Sequence, residues 1–216
     1  MNVLTTLTAL FLSLFAIREY VAYKRKLSLK YFFTPMLTFS VILIVFLSVA
    51  VKGPTVYSML VLIALIMALI ADTLLMIEEM SFLKNGLIFF LISHVFYILA
   101  FKDGYTFQAW NLGLIIFLAA ASFFNIRLVK KGAGRLLIPV IIYVIILNVM
   151  GFFAITRLNS GFGLFEVSLA TGAVMFIISD FILSINAFVK KIPHSTVYTW
   201  LFYAPAQFLF ALSTLH

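Results

Sequence analysis

The chain has 216 residues, of which 65% are apolar and 10% charged, with 25 Phe and a net charge of +8. A soluble globule carries charge on roughly a quarter of its residues, so this composition excludes one and marks an integral membrane protein. Cysteine is absent, which excludes disulfides, thiolate metal sites and a cysteine nucleophile.

A helix needs roughly 17 to 25 apolar residues to span a bilayer, and eight runs qualify. In chain order they are predicted at about Val3–Tyr23, Thr34–Val51, Val56–Ile77, Asn85–Phe101, Ala109–Leu128, Leu136–Thr156, Phe165–Val189 and Thr196–Leu215. No basic residue precedes Val3–Ile17 and charges follow it, the reverse of a secretory signal peptide, so the first run is expected to stay as a helix. Turn-type stretches separate the runs: Lys52-Gly53-Pro54, Asp103-Gly104, Gly132-Ala133-Gly134, Asn159-Ser160-Gly161 and Ile192-Pro193. Every linker is short, so residues 1–216 read as a single integral membrane domain.

The basic residues alternate by linker. Arg18, Lys24, Arg25, Lys26 and Lys30 follow the first run, Lys84 the third, Arg127, Lys130, Lys131 and Arg135 the fifth, and Lys190 and Lys191 the seventh. Lys52, Lys102 and Arg157 alone occupy the other side. Cytoplasmic loops are enriched in Lys and Arg, so both termini are expected outside the cytoplasm, in the inner (plasma) membrane of a cell. The basic balance thus reflects topology and lipid headgroups, and nucleic acid is not an expected partner.

Two carboxyls interrupt this apolar sequence: Asp72 in LIMALIADTLLMI and Asp180 in AVMFIISDFILSI. An ionisable side chain inside a membrane helix is costly and marks a functional position by default. The two patterns match each other at an offset of 108 residues, and Ile17-Arg18 answers Ile126-Arg127 at nearly the same offset. The chain therefore reads as an all-α polytopic membrane protein of eight transmembrane helices with a 4+4 parallel internal repeat, residues 1–108 and 109–216. Four helices per half make the halves parallel, related by an axis along the membrane normal.

At about 100° per residue, Asp180 shares a face with Gly172, Ala173, Ser184 and Ala187, with Ser179 and Asn186 at its edge, and Asp72 lies beside Ala68, Leu75 and Met76. Each carboxyl could instead only bind helices together through hydrogen bonds, a role that the matching patterns disfavour. His94 shares a face with Gly86, Ser93 and Tyr97 and reads equally well as a helix-helix hydrogen-bond partner or a base. Thr196, Thr199, Trp200, Tyr203, Gln207 and Thr214 form a stripe on the last run that should face a polar cavity or the bundle interior. Asn148 and Asn125 are weaker members of that class, and Glu78 and Glu79 at a helix end are expected to be solvated. Zinc would need three or more ligands, and His94, Asp72 and Asp180 come from separate helices without a spacing motif, so no metal is expected.

The stretch from Ala71 through Phe101 resembles the YhhN family of lysoplasmalogenase-like membrane proteins. Asp72 and Leu75 match that family's G-D-x-x-L, Phe82 to Gly86 loosely match F-x-x-G, and His94 with Tyr97 match H-x-x-Y. A second block is matched by Gly172, Ala173, Phe176, Ser179, Asp180, Asn186 and Phe188, a terminal Y-x-x-A-Q by Tyr203, Ala206 and Gln207, and a tyrosine of the sixth helix by Tyr143. Ala71 replaces the glycine before the first aspartate, and a Lys-Pro before the second helix appears as Lys30 and Pro35.

The resemblance implies an eight-helix fold and hydrolysis of the vinyl ether bond of lysoplasmalogens to a fatty aldehyde and glycerophosphoethanolamine or glycerophosphocholine. Asp72 and Asp180 would be the catalytic pair, with His94, Tyr97, Asn148, Ser179, Asn186, Tyr203 and Gln207 lining the site. The partners would be a lysophospholipid substrate and membrane lipids, and no metal or organic cofactor would be required. The chemistry suits two acids: one protonates the remote alkenyl carbon, and the other stabilises the oxocarbenium ion and activates water, as in glycosidases. The carboxyls should then lie within about 10 Å of each other, with an apolar pocket beyond them. The competing readings are a proton-coupled transporter or flippase of lipid-like molecules, built on the same repeat, and a non-catalytic lipid-binding or assembly protein. A blind cavity would favour the enzyme, and access from both faces the transporter.

The charge bias generates a direct test of topology. In this cysteine-free chain, a cysteine introduced beside Lys130 should resist membrane-impermeant thiol reagents applied from outside and react only after permeabilisation.

Overall fold

The computed structural model describes residues 3–77 and 82–216; Glu78 and Glu79, expected to be solvated, lie outside the described residues. Among the described residues there is no strand. The helices are α1 (Val3–Tyr23), α2 (Leu27–Lys52), α3 (Val56–Met76), α4 (Leu83–Phe101), α5 (Trp110–Ala133), α6 (Leu137–Thr156), α7 (Leu164–Phe188) and α8 (Ser195–Ser213). Short 3-10 turns, Gly134–Leu136 and Arg157–Ser160, flank α6.

The linkers fold where the turn residues stand. Gly53, Gly104, Gly134 and Gly161 all take positive φ, a region that residues with a Cβ avoid. Thr55 and Ser58 cap α3 reciprocally, each side chain accepting from the other's backbone N–H. Beyond α7, the Asn186 side chain accepts from the Ile192 backbone N–H at 2.9 Å and closes the turn into α8.

Among the described residues, six helical runs are long and apolar enough to cross a membrane: α1, α2, α3, α4, the run Trp110–Ser160 that contains both α5 and α6, and α7. Within that run the chain turns back at Gly134, so that α5 packs on α6. α8 stands apart because Thr, Tyr, Gln and Pro residues dilute its apolar sequence. Large apolar side chains such as Phe39, Phe46, Ile116, Phe117 and Phe124 point outward, as they must where the solvent is hydrocarbon.

Boundaries differ from the sequence reading mainly at α2. Helix continues through Pro35 and begins at Leu27, not Thr34. About two extra turns therefore carry Lys30 into the bundle, where it is 5% exposed. Arg18, counted among loop cations, belongs to α1 and is 1% exposed.

Helices pack most extensively as the pairs α3 with α4 and α7 with α8. Gly172 allows the second pair its closeness: a Cβ there would stand 2.8 Å from the Phe210 ring and 3.2 Å from the Ala206 carbonyl oxygen. At the other edge, a Cβ on Gly132 of α5 would collide with the Phe188 backbone carbonyl of α7. Because backbone cannot rotate away as a side chain can, Gly132→Ala should cost about 1–3 kcal/mol, the usual cost of overpacking. Thermal unfolding of the purified protein in detergent should register that loss, and an unchanged melting temperature would contradict the contact.

Candidate active site

Asp72 lies on the last full turn of α3 and Asp180 two turns before the end of α7. At 1.5 Å per residue they sit roughly 6 Å and 12 Å from those helix ends, toward the same side of the bundle as the linkers rich in Lys and Arg. The aspartates are 4% and 7% exposed. A carboxyl so deeply buried needs donors, and each finds them on another helix. Thr38 of α2 and Tyr203 of α8 donate to Oδ2 of Asp72 at 2.7 Å and 2.9 Å. Tyr143 of α6 donates to Oδ2 of Asp180.

The network continues inward from Asp72. Gln207 Nε2 donates to the Tyr203 hydroxyl at 3.0 Å, and the Tyr97 hydroxyl donates to Gln207 Oε1. Gln207 and Tyr97 are thus a floor under Tyr203, one and two residues removed from the acid. His94 is fully buried with Nδ1 2.5 Å from the Phe90 carbonyl oxygen, and its Nε2 has no partner. Its ring meets Tyr143 and Phe176 edge-on, with centroids 5.3 Å and 4.8 Å away.

Both aspartates line one cavity of about 590 Å³. Its walls are the basic-side ends of α1, α2, α3, α4, α7 and α8, and it extends to linker residues such as Ile77, Phe82, Lys191 and Ile192. No linker of the opposite side contributes to the lining among the described residues. Ser179, Asn186 and Tyr203 line it, as do Thr196, Thr199 and Trp200 of the polar stripe on α8. Ser179 is fully buried and its hydroxyl has no partner. His94, Tyr97 and Gln207 lie behind the wall, and Asn148, on α6, bonds the Val144 carbonyl and lies away from the cavity.

The space differs from the expected apolar chamber beyond the acids. There the rings of Phe90, Phe176, Tyr203 and Phe210 pack at centroid separations of 5.3–6.3 Å and fill the bundle. An apolar crevice of about 30 Å³ instead runs sideways between α4, α6 and α7, lined by Tyr143, Val144 and Leu147. It shares Leu83, Asp180, Leu183 and Ala187 with the main cavity, so the two adjoin at the second acid.

The sequence reading missed Arg18, Thr34, Thr38, Lys30 and Lys191 as wall or donor residues. Thr38 carried no signal, since Thr is common in membrane helices. Arg18 and Lys30 did: each lies within a run that could continue as helix. Among the described residues no three His, Asp or Glu side chains gather where they could hold a metal ion.

The YhhN family profile matches residues 29–214. The chain belongs to the YhhN family. It is 30% identical over 159 residues to lysoplasmalogenase TMEM86A of Homo sapiens and 26% identical over 156 residues to lysoplasmalogenase TMEM86A of Bos taurus. Each match covers 71% of this chain and 64% of the relative, so this YhhN protein aligns with less than two thirds of either. No solved structure matches it. The α1 helix, with Arg18, precedes the profile match, whereas both aspartates and all their donors fall within it.

The donor arrangement differs between the two acids in a testable way. Tyr203→Phe leaves Asp72 with Thr38, while Tyr143→Phe leaves Asp180 with no described donor. Stranding a buried polar group costs about 1–3 kcal/mol, so the melting temperature should fall further for Tyr143→Phe than for Tyr203→Phe. Equal falls would mean that the two carboxyls are equally supported.

Proposed function

We propose that this YhhN protein hydrolyses the vinyl ether bond of a single-chain alkenyl glycerophospholipid, with Asp72 and Asp180 as the acid and base. The observation that carries this reading is one cavity that holds two buried carboxyls, each supported by a tyrosine from a different helix. The names of the human and bovine relatives support the substrate class.

The reaction adds one water across the enol ether. A carboxylic acid delivers its proton to the alkenyl carbon remote from oxygen, and the electron pair of the double bond forms the new C–H bond. The resulting oxocarbenium ion is stabilised by the neighbouring carboxylate, which also accepts a proton from water as its oxygen attacks. The hemiacetal then breaks its bond to the glycerol oxygen, which takes the proton held by the second carboxyl while the hemiacetal hydroxyl gives its proton to the first, releasing a fatty aldehyde and the glycerophospho-headgroup. Both carboxyls finish in their starting states, and no cofactor is consumed.

In this reading the headgroup occupies the main cavity, and the alkenyl chain leaves sideways past Leu83 and Leu183. The crevice has room for about one water molecule, so those side chains must turn aside to admit a hydrocarbon. The same reading takes α1 to α8 as eight membrane crossings, with both termini outside. The packing agrees with a 4+4 repeat: α1 meets α2 as α5 meets α6, α3 meets α4 as α7 meets α8, and α4 meets α6 as α8 meets α2. A cavity walled from one side of the bundle favours hydrolysis over transport.

Asp→Asn substitution keeps shape and removes the titrating proton. General acid-base catalysis contributes about 10²–10⁴-fold, so Asp72→Asn and Asp180→Asn should each lower aldehyde release from lysoplasmalogen by that order. Turnover close to that of the unaltered protein in both variants would exclude the paired-acid mechanism.

A further inference from the structure

Arg18 is placed as few arginines are. Its side chain lies at the wall of the main cavity and is 1% exposed. Cζ stands 4.2 Å over the Trp200 ring, and Nη1 donates to Glu19 Oε1 at 2.6 Å and to the Thr196 carbonyl at 3.3 Å. Nε has no partner. A buried guanidinium with an unspent donor is costly, and an anion entering the cavity would remove that cost.

Two further cations share the wall: Lys30, itself buried, and Lys191, exposed where the cavity meets the α7–α8 linker. Ser195 and Thr196 line it from the first turn of α8, which no side chain caps. The first turn of a helix carries partial positive charge, while the Ser195 and Val197 N–H groups there already bond the Ile192 and His194 carbonyls. Glu19 offsets one of these charges, but it is not part of the lining. Arg18, Lys30 and Lys191 therefore share the wall of one cavity with the two carboxyls.

We infer that Arg18, Lys30, Lys191 and the first turn of α8 form a phosphate subsite that seats the headgroup phosphodiester of a single-chain lipid. Arg18 acts there as a planar donor held rigid by Trp200, a geometry suited to phosphate oxygens. In a glycerophospholipid the three-carbon glycerol separates phosphate from the ether oxygen, so a ligand anchored at the cations presents its ether toward the aspartates. The subsite rests on the proposed function for the identity of the lipid, yet it binds without any bond being broken.

A saturated ether cannot be protonated to an oxocarbenium ion, so 1-O-octyl-sn-glycero-3-phosphocholine reports binding with no turnover. Calorimetric titration of the purified full chain with this probe, with 1-O-octyl-sn-glycerol and with inorganic phosphate separates the contributions. The phosphodiester should bind tighter than either alternative. Arg18→Gln should weaken it about tenfold or more, the effect of losing a charge-assisted hydrogen bond, and leave the alcohol unaffected. Lys191→Gln, an exposed substitution that leaves the bundle intact, should weaken it in the same direction and keeps the test available should Arg18→Gln not fold. Equal binding of the phosphodiester and the alcohol, or unchanged discrimination in Lys191→Gln and in folded Arg18→Gln, overturns the subsite. Inorganic phosphate binding as tightly as the phosphodiester overturns the lipid assignment in favour of free phosphate. Aldehyde release is read separately, so loss of the hydrolase reading and loss of the subsite are distinguishable results.

Discussion

Two carboxyl groups kept out of water constrain this molecule more than any other feature. In a bilayer there is no solvent to satisfy them, so the bundle must bring donors from other helices. Thr38 and Tyr203 join α2 and α8 to α3 at Asp72, and Tyr143 joins α6 to α7 at Asp180. Remove those requirements and much of the reason for the mutual placement of these helices goes with them.

Small residues and rings then decide what space remains. Gly172 brings α8 against α7 closely enough for the Phe210 ring to meet the α7 backbone, and the rings of Phe90, Phe176 and Tyr203 close the bundle beneath the acids. What stays open lies between the acids and the basic end of the bundle. The cavity therefore holds both cations and carboxyls in its wall, with an apolar crevice beside Asp180. An amphipathic molecule with an anionic head, a reactive centre a few bonds away and a hydrocarbon chain matches that set of groups.

Helix α1 gains significance from this arrangement. It contributes little to the buried core, yet its Arg18 crosses to Trp200 and Thr196 of α8. The helix thus closes one side of the cavity with a cation.

Membrane spans, their apolar faces, the turn positions and the two acids were legible in the sequence, because bilayer thickness sets run length and carboxyls are rare inside it. The stripe of Thr196, Thr199, Trp200 and Tyr203 was legible for the same reason: a polar face on a membrane helix needs somewhere to go. Which hydroxyl meets which carboxyl was not, since Thr38 and Asp72 are 34 residues apart and Tyr203 and Asp72 are 131 apart. Burial of Arg18 and Lys30 was legible only in part: helix could be read through each position, but the neighbouring helices that cover them could not. By itself the sequence determined that the chain is a membrane protein with two intramembrane acids. Only tertiary packing decided that they open into one cavity with cations in its wall, because hydrogen bonds and cavities are made by residues from different helices.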